Sequence, residues 1–445
     1  MVVFSSLALA TTTSMAGLAY PLWAPAAAGA CLGGAFAALH RHAAVRLWRP
    51  PSGPLRLVVT GGTRGLGKAL ARQALLAGDA VLVTGRSRRG AEAAAEGLRR
   101  EVEALNEMAR AAPGGGKGAG GAGAGVGPPR VFGVECDVSD PEQVRALGEA
   151  SSRLLGGPVD AWVVNAGQSG SFKAFLEADD DALEQVVRTN LLGALLCARE
   201  AARRLSRQPD GGHIFLMDGA GSDGGATPYY AAYGATKAAL PQLALTLRRE
   251  LGAAASQRHN AGARQQSRQL REGGDDGQQQ QQEQQEEQQQ QQEQQERHPV
   301  GVHVLSPGMM ITDLLLENAS HANKQVFNIL CEHPETVAAF LVPRLRTAVA
   351  RGQGGSYTRY LTPAAAAWRF LTAPARVGRF FDGEGRPVYA PEGERILGRG
   401  ARATRRAQAA AAARGGALRA AYSLSVLVAA AGVVAADAVA KAAGQ

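Results

Sequence analysis

Tyr233 and Lys237 are the two residues of this sequence whose types and spacing most clearly allow chemistry. They stand four positions apart in Tyr-Gly-Ala-Thr-Lys, so on a helix both side chains lie on one face. A free phenol has a pKa of about 10, which is too high for efficient proton exchange at neutral pH. A neighbouring ammonium group lowers that pKa, so the pair can donate and accept a proton. An ordinary packed tyrosine is the alternative.

A glycine-rich turn lies far upstream of this pair, in Thr60-Gly-Gly-Thr-Arg-Gly-Leu-Gly67. It follows a short apolar run and precedes a segment with helical spacing. Glycines let the backbone turn tightly and approach a pyrophosphate, and a helix N-terminus offers free N–H groups. The turn therefore predicts a nucleotide site made by Gly61, Gly62, Thr63, Arg64, Gly65, Leu66 and Gly67.

The residues after the second predicted strand indicate which dinucleotide binds. An acidic residue there would favour a free ribose 2′-hydroxyl, but the sequence has Thr84-Gly-Arg-Ser87. Arg86 and Arg64 are suited to a 2′-phosphate, since guanidinium groups bind phosphate oxygens in pairs. We therefore expect NADPH, with NADH less favoured. The alternative is that both arginines are solvated surface residues.

Two further motifs complete a pattern with the glycine turn and the Tyr/Lys pair. They are Asn165-Ala166-Gly167 and Pro307-Gly308-x-x-x-Thr312. This order and spacing resembles the short-chain dehydrogenase/reductase superfamily, from about Leu55 to Leu361. The resemblance implies further cofactor contacts, with the adenine at Asp137 and Val138, the nicotinamide ribose at Asn165, Ala166, Gly167 and Lys237, and the carboxamide at Pro307, Gly308 and Thr312.

The resemblance also implies catalytic roles. Tyr233 would donate a proton to the developing alkoxide, and Asn190 would support a water relay to Lys237. The superfamily's catalytic serine usually lies about thirteen residues before the tyrosine, but position 220 is alanine here. Ser222, eleven positions before Tyr233, is the nearest hydroxyl and the expected substitute. Asp218 or a backbone N–H could polarise the carbonyl instead, and Ser222 could simply cap a turn.

Longer segments resemble the chlorophyll b reductase family. They include His213-Ile-Phe-Leu-Met-Asp-Gly-Ala-Gly-Ser222 and Pro307-Gly-Met-Met-Ile-Thr-Asp-Leu-Leu-Leu316, within a likeness from about Leu55 to Ile396. The resemblance implies reduction of the 7-formyl group of chlorophyll b or chlorophyllide b to hydroxymethyl. It also implies the chloroplast thylakoid membrane as the location, with light-harvesting complexes as further partners.

The region after Thr312 is apolar and would form a substrate lid, which suits a large hydrophobic substrate. His321 or His333, in or beside this lid, could approach the magnesium of the pigment.

Two other functions remain open. One is a membrane-anchored reductase of a keto-sphingoid base or a retinoid. The other is a non-catalytic scaffold that binds the cofactor, which the intact Tyr/Lys pair speaks against.

Strand-like and helix-like segments alternate along the chain. Apolar runs such as Leu55–Thr60 and Val131–Cys136 predict buried strands, and segments such as Pro141–Leu155 predict the helices between them. The alternation predicts an α/β fold, a Rossmann-like doubly wound parallel sheet. Two long helices are predicted at Asp179–Arg207 and Tyr229–Leu251, and a seventh strand at Thr358–Leu361.

We expect one catalytic domain over residues 51–396. Two low-complexity inserts interrupt it, a glycine-rich one at 113–129 and a Gln/Glu-rich one at 254–298. Neither can bury enough apolar surface to offset the entropy of ordering it.

The ends of the chain have a different composition. Residues 1–50 are mostly apolar or small, and the first basic residue is Arg41. This predicts a membrane-associated segment, with a cleaved targeting peptide as the alternative. Residues 397–445 are a basic Ala-rich tail. Its apolar run at 420–436 is either a membrane helix or a surface helix.

The net charge of +9 raises the question of nucleic acid. The arginines are scattered rather than interleaved with aromatic residues, so we expect no nucleic-acid binding. The four cysteines are far apart, with no Cys-x-x-Cys pair, so no metal site is predicted. An oligomer is compatible with the sequence.

Overall fold

The computed structural model describes residues 53–111, 127–271, 300–317 and 319–398. The predicted apolar segments at 1–50 and 420–436 lie outside the described residues, as do 113–126 and 272–298 of the two predicted inserts. Within the described ranges, no helix combines the length and the apolar character needed to cross a membrane.

The core of the molecule is a sheet of seven parallel strands in the order β3-β2-β1-β4-β5-β6-β7. The strands are β1 (Arg56–Val59), β2 (Ala80–Gly85), β3 (Val131–Glu135), β4 (Ala161–Val164), β5 (Gly212–Met217), β6 (Val300–Ser306) and β7 (Gly355–Arg359). Most read as continuous apolar runs because both faces of a parallel sheet are covered by helices. The predicted Rossmann-like doubly wound sheet is confirmed.

Helices follow the strands in chain order. They are α1 (Gly65–Leu76), α2 (Arg88–Ala111), α3 (Pro141–Leu155), α4 (Asp180–Val187), α5 (Gly193–Leu205), α6 (Ala231–Arg271), α7 (Asp313–Leu316), α8 (His321–Leu330), α9 (Pro334–Ala350), α10 (Pro363–Leu371), α11 (Ala373–Arg376) and α12 (Glu392–Ile396). The segment from α7 through α8 is called the lid below.

Two apolar clusters cover the two faces of the sheet. Leu57 and Val59 of β1 belong to one cluster, together with α1 and α9. Val58, the residue between them, belongs to the other, together with α3 and α5. This split follows from the strand geometry, since successive side chains point to opposite faces.

The boundaries of α3 match the prediction because the residues that cap the helix lie directly beside it in the sequence. The Asp140 carboxylate accepts hydrogen bonds from the backbone N–H groups of Glu142 and Gln143, and Pro141 occupies the first turn. Gly156 ends the helix in the left-handed conformation, at φ +72°.

Three predicted elements differ from the structure. The long helix predicted at Asp179–Arg207 is two helices, α4 and α5, joined by a π-helical turn at Arg188–Leu192. Helix α6 continues to Arg271, beyond residue 254, where the second insert was expected to begin. The seventh strand ends at Arg359 rather than Leu361.

The topology determines to which end of the sheet each connection between a helix and a strand leads. In this sheet each strand runs into a helix at its carboxyl end, and each helix returns to the amino end of the next strand. Residues 112–126 and 272–299 belong to connections between a helix and the following strand, from α2 to β3 and from α6 to β6. Each of these connections therefore leads into the amino end of a strand.

Candidate active site

A cavity of about 890 Å³ opens at the carboxyl ends of the strands. The predicted site residues line it, except for Gly62 and Asn190, which are buried nearby. The location is the usual one, since ligands of doubly wound sheets bind outside the carboxyl ends of the strands. The sheet therefore brings the separate sequence motifs into one place.

The glycine turn between β1 and α1 fits a pyrophosphate. Gly61 and Gly65 have φ values of +65° and +55°, a region that side chains disfavour. A Cβ on Gly67 would lie 2.2 Å from the Gly61 carbonyl oxygen, so only glycine allows this close approach. Arg64, the N-cap of α1, makes no side-chain capping bond. The first-turn N–H groups therefore have no side-chain cap, as an anion site requires.

Asn165 holds this turn against β4. Its side-chain amide donates to the carbonyl oxygens of Thr60 and Gly61, at 3.0 and 3.2 Å. The Thr60 hydroxyl in turn accepts from the backbone N–H groups of Asn165 and Ala166. Thr60 was missed from the sequence, although a polar residue at the end of a buried strand was a visible signal.

The two arginines expected at a 2′-phosphate are placed differently. Arg86 is exposed at the end of β2 and lines the cavity. Arg64 also lines the cavity, but its guanidinium lies 3.5 Å from the Asp313 carboxylate of the lid. Both side chains of that pair are exposed, so the contact is weak and exchangeable. Arg86 is thus the better placed of the two for a 2′-phosphate.

The phenol and the amine lie together at the start of α6. The Lys237 ammonium nitrogen is 5.7 Å from the centre of the Tyr233 ring and donates to the Met217 carbonyl at 3.0 Å. A Cβ on Gly219 would lie only 2.2 Å from the Tyr233 hydroxyl oxygen. The backbone after β5 therefore packs directly against the phenol.

Burial dominates the acid–base behaviour of this pair. It raises the pKa of Tyr233, and the nearby Asp218 carboxylate raises it further. Burial lowers the pKa of Lys237 to about 8. The expected lowering of the Tyr233 pKa is therefore not produced by the protein's own groups. It would need the positive charge of an oxidised nicotinamide ring.

In the loop after β5, the Ser222 hydroxyl is hydrogen-bonded to the buried Asp218 carboxylate. The Ser222 hydroxyl donates to the Asp218 carboxylate at 3.0 Å, and the Tyr357 hydroxyl of β7 donates to the same oxygen. Asp218 is 2% exposed, and its other oxygen has no hydrogen-bond partner among the described residues. Desolvation raises the pKa of Asp218. The residue packed against the phenol is Gly219, whereas Ala220, at the expected spacing, is exposed.

Asn190 lies in the π-helical turn between α4 and α5. Its side-chain amide donates to the Gln168 carbonyl at 2.8 Å, and its side-chain oxygen accepts from the Gln168 N–H. A Cβ on Gly167 would lie 3.2 Å from that oxygen and 3.7 Å from the Lys237 nitrogen. The π-helical turn therefore holds the Asn190 side chain on the Gln168 backbone, and single π turns often occur at functional sites.

The cavity lining also includes apolar and aromatic residues that the motifs did not identify. Phe172 and Tyr229 come from the loops after β4 and before α6, and Leu314, Val326 and Phe327 come from the lid. These residues lie in loops and short helices, where no periodic pattern identifies them. The apolar lining agrees with the lid expected from the sequence.

Neither lid histidine lines the described cavity. The His333 ring packs edge-on against Phe380 and Tyr389, with centroids 4.9 and 5.3 Å away. Its burial lowers its pKa to about 4. His321 is exposed at the start of α8.

Comparisons with known proteins identify the family of this chain. The family model described as short chain dehydrogenase matches residues 123–255. A rice protein (Oryza sativa subsp. japonica) named probable chlorophyll(ide) b reductase NYC1, chloroplastic, is 39% identical over 345 residues, which are 78% of this chain and 57% of that protein. The chain thus spans little more than half of that relative.

Shorter relatives are covered more fully. The Arabidopsis thaliana protein named chlorophyll(ide) b reductase NOL, chloroplastic, is 35% identical over 316 residues, which are 70% of this chain and 72% of that protein. A solved short-chain dehydrogenase from Burkholderia cenocepacia, in complex with NADP, aligns with a TM-score of 0.47 at 19% identity, over 68% of this chain and 96% of that one. By its sequence similarity, this chain belongs to the short-chain dehydrogenase/reductase family of NAD(P)H-dependent oxidoreductases, among the chlorophyll(ide) b reductases.

Proposed function

We propose that this chain reduces the 7-formyl group of chlorophyll b or chlorophyllide b to a hydroxymethyl group. The observation that carries the proposal is the Tyr233/Lys237 pair in a cavity that joins the glycine turn to an apolar lid. The relatives named chlorophyll(ide) b reductase support the choice of substrate. An aldehyde is a suitable hydride acceptor, and a flat pigment suits an apolar enclosure.

NADPH is the proposed cofactor. When bound, its nicotinamide supplies a hydride to the carbonyl carbon. The first-turn N–H groups of α1 would bind the pyrophosphate, and Arg86 would bind the 2′-phosphate. Asp137 and Val138 would flank the adenine. Of these contacts, only that of Arg86 with the 2′-phosphate favours NADPH over NADH.

Tyr233 is the proposed proton donor to the carbonyl oxygen. Its raised pKa keeps the phenol protonated at neutral pH, so the proton is available as negative charge develops on the substrate. Lys237 would hold the ribose hydroxyls. Asn190, whose side chain is held by the Gln168 backbone, would support the water that returns a proton to the pair.

Ser222 is the weaker of the two proposed donors to the carbonyl. It lines the cavity, but its hydroxyl already donates a hydrogen bond to the Asp218 carboxylate. Ser222 can donate to a substrate only by releasing that carboxylate. Tyr233 therefore carries the main interaction with the carbonyl oxygen.

The location and partners follow from the relatives and the sequence. Both relatives described above are named chloroplastic. We propose that the chain works at the chloroplast thylakoid membrane, with its apolar terminal segments as anchors. Chlorophyll bound in light-harvesting complexes would then be within reach as a source of substrate.

The test is an assay of the purified full chain with chlorophyll b or chlorophyllide b and either NADPH or NADH. Loss of the formyl group shifts the pigment absorption, so turnover is read directly. Tyr233→Phe removes the donor and should reduce kcat by at least about 10²-fold, because positioned general acids contribute this much. Tyr389→Phe, which removes a hydroxyl outside the cavity, is the matched control.

Each outcome is decisive. Pigment reduction lost in Tyr233→Phe and kept in Tyr389→Phe supports the proposal. NADPH-dependent turnover of a keto-sphingoid base or retinal, with none of the pigment, would favour the other reductase. Cofactor binding without turnover of any carbonyl would favour the scaffold.

A further inference from the structure

The Phe172 ring of the cavity lining packs against two other aromatic rings. The Phe172 ring centre lies 4.8 Å from that of Tyr229 and 4.9 Å from that of Tyr230. Phe172 comes from the loop after β4, and the two tyrosines come from the loop before α6. Two distant parts of the chain thus meet in one cluster, called the aromatic platform below.

The aromatic platform begins beside the phenol and reaches the solvent. The Tyr230 ring centre lies 6.3 Å from that of Tyr233, in an edge-on contact. Tyr229 is 53% exposed, although it lines the same cavity. A molecule whose carbonyl meets Tyr233 can therefore extend along the rings toward the mouth of the cavity.

Tyr229 is held in an unfavourable backbone conformation. Its φ is +67°, and it is the one non-glycine residue with positive φ in the part of the chain that the structure describes. The Tyr230 N–H bonds to the Thr227 carbonyl, and Pro228 precedes Tyr229, which is the pattern of a type II turn. Glycine would occupy this third position without steric cost.

Strain of this kind persists where the surroundings impose it, and it concentrates at ligand sites. Here the strain keeps a large ring at the cavity wall in a position that favours glycine. The ring is half solvated, so it contributes little to the core. Its placement is better explained by a ligand than by folding.

Resting on the proposed function, we propose that Phe172, Tyr229 and Tyr230 are a binding subsite for the flat conjugated ring system of the substrate. Aromatic faces and edges attract other aromatic rings at centre distances of about 4.5–7 Å. The lid adds Val326 and Phe327 to the same cavity, which encloses the ring system further. The platform selects a large planar aldehyde over small ones, while the phenol performs the proton transfer.

Two variants test the platform. Tyr229→Gly removes a ring and suits the positive φ, so it does not introduce backbone strain. Phe172→Leu keeps apolar bulk but removes the aromatic face. Leu371→Ala is the matched control, because Leu371 is exposed on α10 and does not line the cavity.

Binding and turnover are measured separately. Chlorophyllide a, which lacks the formyl group, reports pigment binding by fluorescence titration without any reaction. Chlorophyllide b reports KM and kcat, and NADPH fluorescence reports cofactor binding. We expect both variants to raise the Kd for chlorophyllide a and the KM for chlorophyllide b by about tenfold. We expect kcat and the Kd for NADPH to be unchanged, with Leu371→Ala like the wild type.

The outcomes separate this inference from the proposed function. Wild-type affinity for chlorophyllide a in both variants would overturn the platform, even if chlorophyllide b is reduced. A parallel loss of NADPH binding would also overturn it, because the rings would then only support the fold. Wild-type protein that binds chlorophyllide a but leaves chlorophyllide b unreduced would keep the platform and reject the reductase.

Discussion

Gly219 offers a sharp test of how the phenol is positioned. Its backbone packs against Tyr233, and Gly219→Ala would place a methyl carbon 2.2 Å from the hydroxyl oxygen and 3.0 Å from the ring carbon that bears it. Ordinary contacts begin at 3.4 Å, so the phenol or the loop must move by more than 1 Å. Gly219 does not have a positive φ, so the effect would come from the clash alone.

The size of the effect follows from that displacement. Moving a reacting group by about 1 Å costs on the order of 10²-fold in rate. Overpacking a closely packed site costs about 1–3 kcal/mol of stability. We therefore expect kcat for chlorophyllide b to fall by about 10²-fold. The Kd for NADPH should change much less, because the added methyl group crowds Tyr233 and the Lys237 stem but not the glycine turn.

The assay compares Gly219→Ala with Gly383→Ala by steady-state reduction and by thermal unfolding. Gly383 is exposed, lies outside the cavity lining and has no atom within 4 Å of an added Cβ, so the same substitution there should change neither rate nor stability. Combining Gly219→Ala with Tyr233→Phe removes the nearest clashing atom. The stability cost should then shrink by about 1 kcal/mol, as expected for residues in contact. Wild-type kcat in Gly219→Ala would refute the close packing of Gly219 on the phenol.

Two further predictions concern charge. Asp218→Asn removes a negative charge that raises the pKa of both Tyr233 and Lys237, so both pKa values should fall. Because Tyr233 must carry its proton to act as a donor, the basic limb of the kcat–pH profile should move to lower pH, and an unmoved limb would contradict the assignment. Arg86→Gln should raise the Kd for NADPH about tenfold and leave that for NADH unchanged, since a charged hydrogen bond is lost. Arg89→Gln, a neighbouring exposed arginine that does not line the cavity, is the control, and equal losses for both cofactors would argue against a 2′-phosphate contact.

Much of the fold could be predicted because its signals are local. The strands are apolar runs with short lengths, and α3 carries its own cap and terminator in Asp140 and Gly156. The glycine turn could be predicted for the same reason, since a strand, a glycine cluster and a helix follow one another directly. The Tyr233/Lys237 pair could be predicted from its four-residue spacing alone, because residues four apart lie on one face of a helix.

The rest depends on contacts between distant residues. Asp218 and Tyr357 are hydrogen-bonded although 139 positions separate them in the sequence. The carboxylate that accepts the Ser222 hydrogen bond therefore could not be identified from spacing. Counting back from Tyr233 indicated position 220, but the loop places Gly219 against the phenol. The π turn around Asn190 adds one residue to a helical turn, which an apolar repeat does not resolve.

The connections from α2 to β3 and from α6 to β6 have a practical consequence for engineering. Each leads into the amino end of a strand, whereas the cavity lies at the carboxyl ends of the strands. Length added to such connections costs little, because loop-closure entropy grows slowly with length. We therefore expect an affinity tag or fluorescent reporter spliced into either connection to leave the chemistry undisturbed, which makes these connections natural attachment points for labels on the protein.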